Sequence, residues 1–317
     1  MFDVGLVTAL RAGRLAVEEY VTASEAHGDV WGEVQASSRL MIAAASRVDY
    51  CPFNPREEKE TGADWLWWWI DATGECFGML VQAKKLHHRG STWSIDFGYG
   101  RPSGDQMRAL FRTADTLSVP PIYMFSTGDV TYRDALTCGP SHAGADCRRC
   151  REASVPVLSA LVARDVTTNE QFHPELIAVD AFHCSSPLES LVDPKAGAEL
   201  AYDLNLRRLR PELADLLVFA RQPQTGARQV AKAVLAEVSR YRRRQFAAAS
   251  LTPAKLEEDA VFATSPGDIG HFGVPYFRQI LRCLRRTVPD YLADIMADRE
   301  PPADVKSLVA GVVVVHI

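Results

Sequence analysis

The segment GADWLWWWIDATGECFGMLVQAKKL, residues 62–86, constrains the fold more than any other part of the chain. It holds four of the six tryptophans, and a Thr-Gly-Glu sequence divides it into two apolar runs. Two such runs around a short glycine loop predict a hairpin of two strands, with Gly74 in the turn. Successive side chains point to opposite faces of a strand, so consecutive tryptophans cannot all be buried on one face. We therefore predict a sheet that is covered by helices on both sides.

Three polar residues stand at the ends of this hairpin. Side chains alternate along a strand, so Gln82 and Lys84 share one face of the second strand with Leu80. If the two strands pair, Asp64 can converge with Gln82 and Lys84 near one end of the hairpin. Carboxylate and amide oxygens hold Mg²⁺, and an ammonium group positions water and offsets charge on a phosphate. The pattern indicates phosphodiester hydrolysis.

Helical periodicity predicts helices over residues 4–21, over residues 32–47 and in DQMRALFRTADTL, which begins at residue 105. The predicted face of the second helix is Val34, Ser38, Met41, Ala45 and Val48. PIYMFST, residues 121–127, predicts a strand. The resulting order of helix, strand, strand, helix and strand favours an α/β (α+β) fold with a mixed sheet.

The second half of the chain is less regular in pattern. VPVLSALVARDV (155–166) fits a strand or a helix, and ELIAVDAF (175–182) predicts a strand. From Lys195 onward helices dominate, including TPAKLEEDA (252–260) and VPYFRQILRCLRRTV (274–288). The β-branched LVAGVVVVHI (308–317) predicts a last strand that returns to the sheet. We predict one continuous domain, with a core in residues 1–135 and a mainly helical elaboration in residues 136–317.

Asp64 followed, after 17 residues, by Gln82-Ala83-Lys84 resembles the core motif of the PD-(D/E)xK, or restriction-endonuclease-like, nuclease superfamily. It is closest to the Mrr-like branch, in which Gln replaces the middle acid. GADWxWW…VQAKKL is also similar to the pattern of a group of bacterial proteins. The resemblance covers residues 30 to 126 and implies a Mg²⁺- or Mn²⁺-dependent endonuclease with Asp64, Gln82 and Lys84 in its site.

The resemblance also implies further site residues. An acid on the preceding helix often joins the metal site, which suggests Glu33. Glu57, Glu58 and Glu60 lie just upstream of Asp64, and Gln106 matches a polar residue on the following helix. Because Gln82 supplies a neutral oxygen, Glu33 or Glu60 must add a second carboxylate.

Each of these residues also has a structural interpretation. Asp64 and Lys84 can form an ion pair at a sheet end, and Glu33 can be a solvated acid in a first helical turn. The glutamates of residues 57–60 suit a solvated loop, Gln106 an exposed helix position, and the tryptophans a core.

CGPSHAGADCRRC contains Cys138, His142, Cys147 and Cys150, and it closes in the Cys-x2-Cys half-site that is common in zinc centres. His183 and Cys184 are alternatives to His142. Free loop cysteines remain the competing interpretation.

The net charge of −5 excludes binding of nucleic acid by the chain as a whole, so a polyanion site must be a local basic patch. No segment is long and apolar enough for a membrane span or typical of a signal peptide, so we expect a cytoplasmic protein.

The expected partner is nucleic acid, DNA rather than RNA, with a homodimer left open. The resemblance suggests a role in bacterial restriction or anti-phage defence. The alternatives are a catalytically inactive nuclease-fold binding or scaffold protein, stapled by zinc, and a nuclease gated by a ligand or partner.

Overall fold

In this computed structural model the described residues are 4–53, 63–90, 92–98, 105–134, 136–139, 142–170, 173–197, 218–219, 222–248 and 280–317. The predicted helix at residues 252–260 and part of the one at 274–288 lie outside these ranges. Within them, no helix combines the length and the apolar character needed to cross a membrane.

The core is a mixed sheet of nine strands within the described ranges. The strands are Val48–Pro52 (β1), Trp65–Ile70 (β2), Cys76–Arg89 (β3), Thr92–Ile95 (β4), Pro121–Ser126 (β5), Pro156–Ser159 (β6), Ser186–Pro187 (β7), Leu284–Arg285 (β8) and Gly311–His316 (β9). The order is β1-β9-β2-β3-β5-β6-β7, with β4 and β8 paired to the two ends of β3. β2 and β3 form the predicted antiparallel hairpin, flanked by β9 and β5, which run parallel to β2 and β3, respectively.

Helices surround this sheet. In the described ranges they are Val4–His27 (α1), Glu33–Ala43 (α2), Asp105–Leu117 (α3), Val130–Arg133 (α4), Arg148–Arg151 (α5), Ala160–Asn169 (α6), Pro174–Cys184 (α7), Gly226–Ala248 (α8), Asp290–Met296 (α9) and Ala303–Lys306 (α10). The α/β (α+β) class with a mixed sheet and flanking helices is therefore confirmed.

Both faces of the central hairpin are covered, as the tryptophans predict. All six residues of β2 are buried. Lys84 reaches α3 on one face of β3, and the next residue, Lys85, reaches the carbonyl of Trp31 on the other. The tryptophan run therefore fills the core between two helical layers.

Several other predictions are confirmed. Gly74 has a positive φ of 83° in the hairpin turn, a conformation that glycine adopts without steric cost. α1, α3, β5 and β9 appear where the patterns placed them. The segment at residues 155–166, which fits a strand or a helix by its sequence, contains both, because the strand β6 is followed directly by the helix α6.

Three predictions are wrong. ELIAVDAF lies in the helix α7, whose Pro174 sits in the first turn and presets a helical φ; short apolar runs do not distinguish helix from strand. α2 ends at Ala43, and residues 48–52 form β1, which gains the antiparallel ladder of β9. Leu284–Arg285, which lies in the predicted helix at residues 274–288, instead pairs as a strand with the start of β3.

The buried face of α2 also differs from the prediction. Val34 is 52% exposed, and Ala45 is exposed as well. The buried residues are Ala36, Ser37, Leu40 and Met41. Small side chains on this face allow close approach to α1, and a Cβ at Gly13 of α1 would lie 2.7 Å from the carbonyl oxygen of Leu40.

Gly78 generates a stability prediction, because it lies directly opposite Trp68 in the hairpin. A Cβ at Gly78 would lie 2.8 Å from the Trp68 indole. We expect Gly78→Ala to lower the free energy of unfolding by about 2 kcal/mol, as overpacking does, in urea denaturation. Trp68→Phe removes the clashing ring atoms, so Gly78→Ala should cost much less in that background. An equal cost in both backgrounds would contradict the clash.

Candidate active site and metal centre

The candidate active site lies where β3 runs past the start of β2. Trp65 of β2 pairs with Val81, and β3 then continues to Arg89. Past Val81, and before the pairing with β4 begins at Leu86, the described strands supply no ladder partner for the N–H groups of Ala83 and Lys85. Asp64 accepts the N–H of Ala83 at 2.6 Å through Oδ2.

A second carboxylate continues this arrangement. Glu33 Oε1 accepts the N–H of Lys85 at 3.0 Å. The N–H groups of Ala83 and Lys85 are two residues apart on one side of the strand, which corresponds to roughly 7 Å. Two acids from distant parts of the sequence therefore lie side by side along the end of β3.

Backbone bonds on both sides hold Asp64 in place. Its N–H donates to the carbonyl of Val81 at 3.1 Å, and its own carbonyl accepts the N–H of Ala310 at 3.0 Å. Asp64 is 6% exposed. Its carboxylate is thus fixed by the sheet rather than by a loop.

Gln82 directly precedes Ala83, the residue whose N–H binds Asp64, and is 1% exposed. Continuing the hairpin register places it opposite Asp64. Neither its amide oxygen nor its amide nitrogen has a hydrogen-bond partner among the described residues. A buried polar group without a partner costs about 1–3 kcal/mol. The arrangement therefore favours a ligand that completes the coordination of the amide.

Tyr123 is a neighbour that the sequence analysis did not identify. It is the register partner of Gln82 on β5, and its buried hydroxyl likewise has no partner among the described residues. Burial raises the pKa of this hydroxyl above its ordinary value. The signal in the sequence was a tyrosine in the centre of an apolar strand, since a buried tyrosine normally needs a partner for its hydroxyl.

Lys84 projects from the same face as Gln82 and is 6% exposed. Its Nζ donates to Oε1 of Gln106 at 3.1 Å. Gln106 is the second residue of α3 and is half-buried. The structure thus joins Lys84 to the polar residue on the following helix.

Lys85 has a different position from Lys84. Its Nζ donates to the carbonyl of Trp31 at 3.0 Å and lies 4.4 Å from the centre of the Trp31 ring. Trp31 precedes Glu33 by two residues, so this contact ties the start of α2 to β3. Lys85 therefore positions Glu33.

The remaining predicted acids, Glu57, Glu58 and Glu60, lie outside the described residues. Within the described ranges, the one group of three or more His, Cys, Asp or Glu side chains close enough to share an ion lies elsewhere. Asp64 and Glu33 are the acids that the structure places along the end of β3.

This candidate metal-binding group consists of Cys138, His142, Cys147 and Cys150, whose ligand atoms all lie within 4.8 Å of one another. Cys138 Sγ is 3.5 Å from Cys147 Sγ, and His142 Nδ1 is 3.2 Å from Cys150 Sγ. A tetrahedral ion with bonds of about 2.3 Å to sulfur separates its ligands by roughly 3.7 Å. This Cys₃His group is able to hold a metal such as zinc.

The thiols of this group differ in acidity. Backbone hydrogen bonds from Ala143 and Cys150 lower the pKa of Cys147 to about 6, while burial raises the pKa of Cys138 to about 12. A thiolate is the form that binds metal. His183 and Cys184, the alternatives to His142, do not belong to the group.

Arg133 connects this metal-binding group to the sheet. Its buried guanidinium donates to the carbonyls of Cys150, Gly128 and Ala153, and to Thr127 Oγ1. Burial lowers the pKa of Arg133 to about 10. The cation is therefore held by backbone oxygens at the end of β5.

The comparisons with known proteins leave the activity open. No curated protein and no solved structure matches the chain. A family model does match, over residues 39–316, a span that includes Asp64, Gln82, Lys84 and the Cys₃His group but not Glu33. The chain therefore belongs to DUF6615, a family of unknown function.

Proposed function

We propose that the protein is a Mg²⁺-dependent nuclease that hydrolyses phosphodiester bonds. The observation that carries the proposal is the buried amide of Gln82 beside Asp64, which has no hydrogen-bond partner among the described residues, with Lys84 on the same face. Such an orphaned amide is costly unless a ligand completes it. The resemblance to PD-(D/E)xK nucleases suggests the same chemistry.

The donor set fits a hard cation. Asp64 and Glu33 are each held beside β3 by accepting a backbone N–H. Their carboxylate oxygens and the amide oxygen of Gln82 are donors of the type that Mg²⁺ prefers. When bound, the cation polarises the phosphate and lowers the pKa of a coordinated water.

Lys84 supplies the positive charge of the protein itself. Its ammonium group is buried and oriented by Gln106, so it offsets charge that develops on phosphate oxygens without reorganising. Glu33 keeps its place through the Lys85–Trp31 contact. DNA as the substrate, and a role in bacterial restriction or anti-phage defence, are extensions that rest on the family resemblance.

Removing the ammonium or the central acid tests the proposal. We expect Lys84→Ala and Asp64→Asn each to reduce Mg²⁺-dependent cleavage of plasmid DNA or RNA by at least 100-fold, the scale of losing one transition-state contact. Lys306→Ala, a surface lysine paired with Glu300, is the matched control and should cleave normally. Full activity in either site variant would refute the assignment.

Gln82 offers a test that does not depend on cleavage. Gln82→Met keeps the volume but removes the unpartnered amide, so its stability without metal should equal or exceed that of the wild type. We expect Mg²⁺ to raise the melting temperature of the wild type and to have a much smaller effect on Gln82→Met. Equal Mg²⁺ effects on both proteins would exclude Gln82 as a ligand.

The second candidate function is a catalytically inactive, zinc-stapled binding or scaffold protein on the same fold. The observation that favours it is the Cys₃His group, whose donors fit zinc and which Arg133 ties to the sheet. Four protein ligands leave no open position on a tetrahedral ion, so zinc in this group would be structural. Full stability with no Mg²⁺-dependent cleavage would favour this candidate.

Zinc binding has a direct test. We expect one zinc ion per chain by elemental analysis of the purified protein, and loss of that ion with a lower melting temperature in Cys147→Ser. Cys51→Ser, at a half-buried free cysteine outside the group, should keep its zinc. A wild-type protein with only trace zinc would reject the metal centre.

A further inference from the structure

A cleft of about 480 Å³ lies against α3, the helix that presents Gln106 to Lys84. It begins one residue beyond Gln106, at Met107. Its apolar lining is Phe97, Met107 and Phe111, and its charged lining is Arg108, Arg112 and Arg164.

The three arginines come from two helices. Arg108 and Arg112 are four residues apart on α3, which places them on one flank of the helix, and both are exposed. Arg164 comes from α6, and its guanidinium lies 4.6 Å from the centre of the Phe111 ring. The aromatic ring thus lies among guanidinium groups.

The charge of the cleft is of one sign. None of the described residues that line it is acidic. Asp165, beside Arg164, accepts hydrogen bonds from Tyr241 and Asn169. The cleft therefore complements an anion, although the whole chain carries a net charge of −5.

Two arginine-rich runs of the sequence, RRCR (148–151) and RCLRR (282–286), lie outside this cleft. Arg149 donates to the carbonyls of His183 and Ser185. Arg282 donates to Asp115 and to the carbonyls of Ala114 and Val119. Because these two side chains bind groups of the protein itself, the cleft is a better candidate for a local basic patch than either of them.

We propose that this cleft binds a single-stranded segment of nucleic acid, with phosphates on Arg108 and Arg112 and a base against Phe111 and Met107. Single strands are bound by combining a basic groove with aromatic rings on which bases stack. A duplex hides its base faces within the stack and would use the arginines alone. The volume lies in the range of ligand sites, a few hundred Å³.

This inference rests on the proposed nuclease function, because the cleft lies against the same helix whose second residue, Gln106, binds Lys84. The protein would then act on single strands or on the frayed end of a duplex.

The test measures binding in EDTA, so that cleavage does not interfere. Fluorescence anisotropy of a labelled 12-nucleotide single strand, as DNA and as RNA, and of the matching DNA duplex gives the dissociation constants. The cleft variant is Arg108→Gln with Arg112→Gln. The charge-matched control is Arg228→Gln with Arg299→Gln, two surface arginines paired with Glu75 and Asp294.

We expect tighter binding of single strands than of the duplex. The cleft variant should bind a single strand about tenfold or more weakly and lower the slope of log K against log salt by roughly 1.4, since each phosphate contact contributes about 0.7. Phe111→Leu should weaken binding severalfold without changing the slope, because it removes stacking rather than charge. The control pair should change the dissociation constant less than twofold.

Equal weakening in the cleft variant and the control pair, duplex preference, or no binding by the wild type would overturn the inference. Lys84→Ala separates this inference from the proposed function, because it should bind strands normally while losing cleavage. If the wild type cleaves and the cleft variant binds normally, the cleft proposal alone is refuted. If binding depends on the cleft but no cleavage occurs, the nuclease proposal is refuted and the cleft proposal is supported.

Discussion

The strand β3 is longer than its partner β2, and the N–H groups of this overhang must be satisfied away from water. Two carboxylates do so, Asp64 at Ala83 and Glu33 at Lys85. A backbone N–H that is buried without a partner is expensive, so the overhang selects acids at these two places. The carboxylates that accept these N–H groups therefore also bring negative charge to this part of β3, where Asp64 lies beside Gln82. A structural role for Asp64 at the strand therefore does not exclude the catalytic role that we propose for it.

The central part of this site was predictable from the sequence, and its surroundings were only partly so. Strand alternation fixes Gln82 and Lys84 on one face, and the short turn at Gly74 fixes the register that brings Asp64 opposite Gln82. Glu33 and Gln106 came from the family resemblance, and their contacts depend on how α2 and α3 pack on the sheet. No periodicity reveals that Lys85 holds Trp31 on the opposite face and thereby places Glu33. Tyr123 was not identified because a tyrosine in an apolar strand is typical of a core residue. Only the structure shows that its hydroxyl has no partner among the described residues.

The wrong predictions have the same origin. The predicted face of α2 includes Val34 and Ala45, yet close packing against α1 buries Ala36, Ser37 and Leu40 instead and leaves Val34 exposed. Residues 48–52 form a strand because they pair with β9, which lies more than two hundred residues away in the sequence. Tertiary contacts of this kind override local pattern. The Cys₃His group is the opposite case. The spacing of its ligands within one short segment is local information, and the four side chains do lie close together.

One short helix links the two candidate centres. α4, capped by Asp129, presents Tyr132 to the carbonyl of Leu86 on β3 and Arg133 to the carbonyl of Cys150. The charge of Arg133 is buried among backbone oxygens, so moving the Cys150 loop would leave that cation with fewer partners. A metal that fixes the loop therefore also fixes the end of β5 and the stretch of β3 just beyond Lys84 and Lys85. The Cys₃His group would thereby help to hold the lysines of β3 in place.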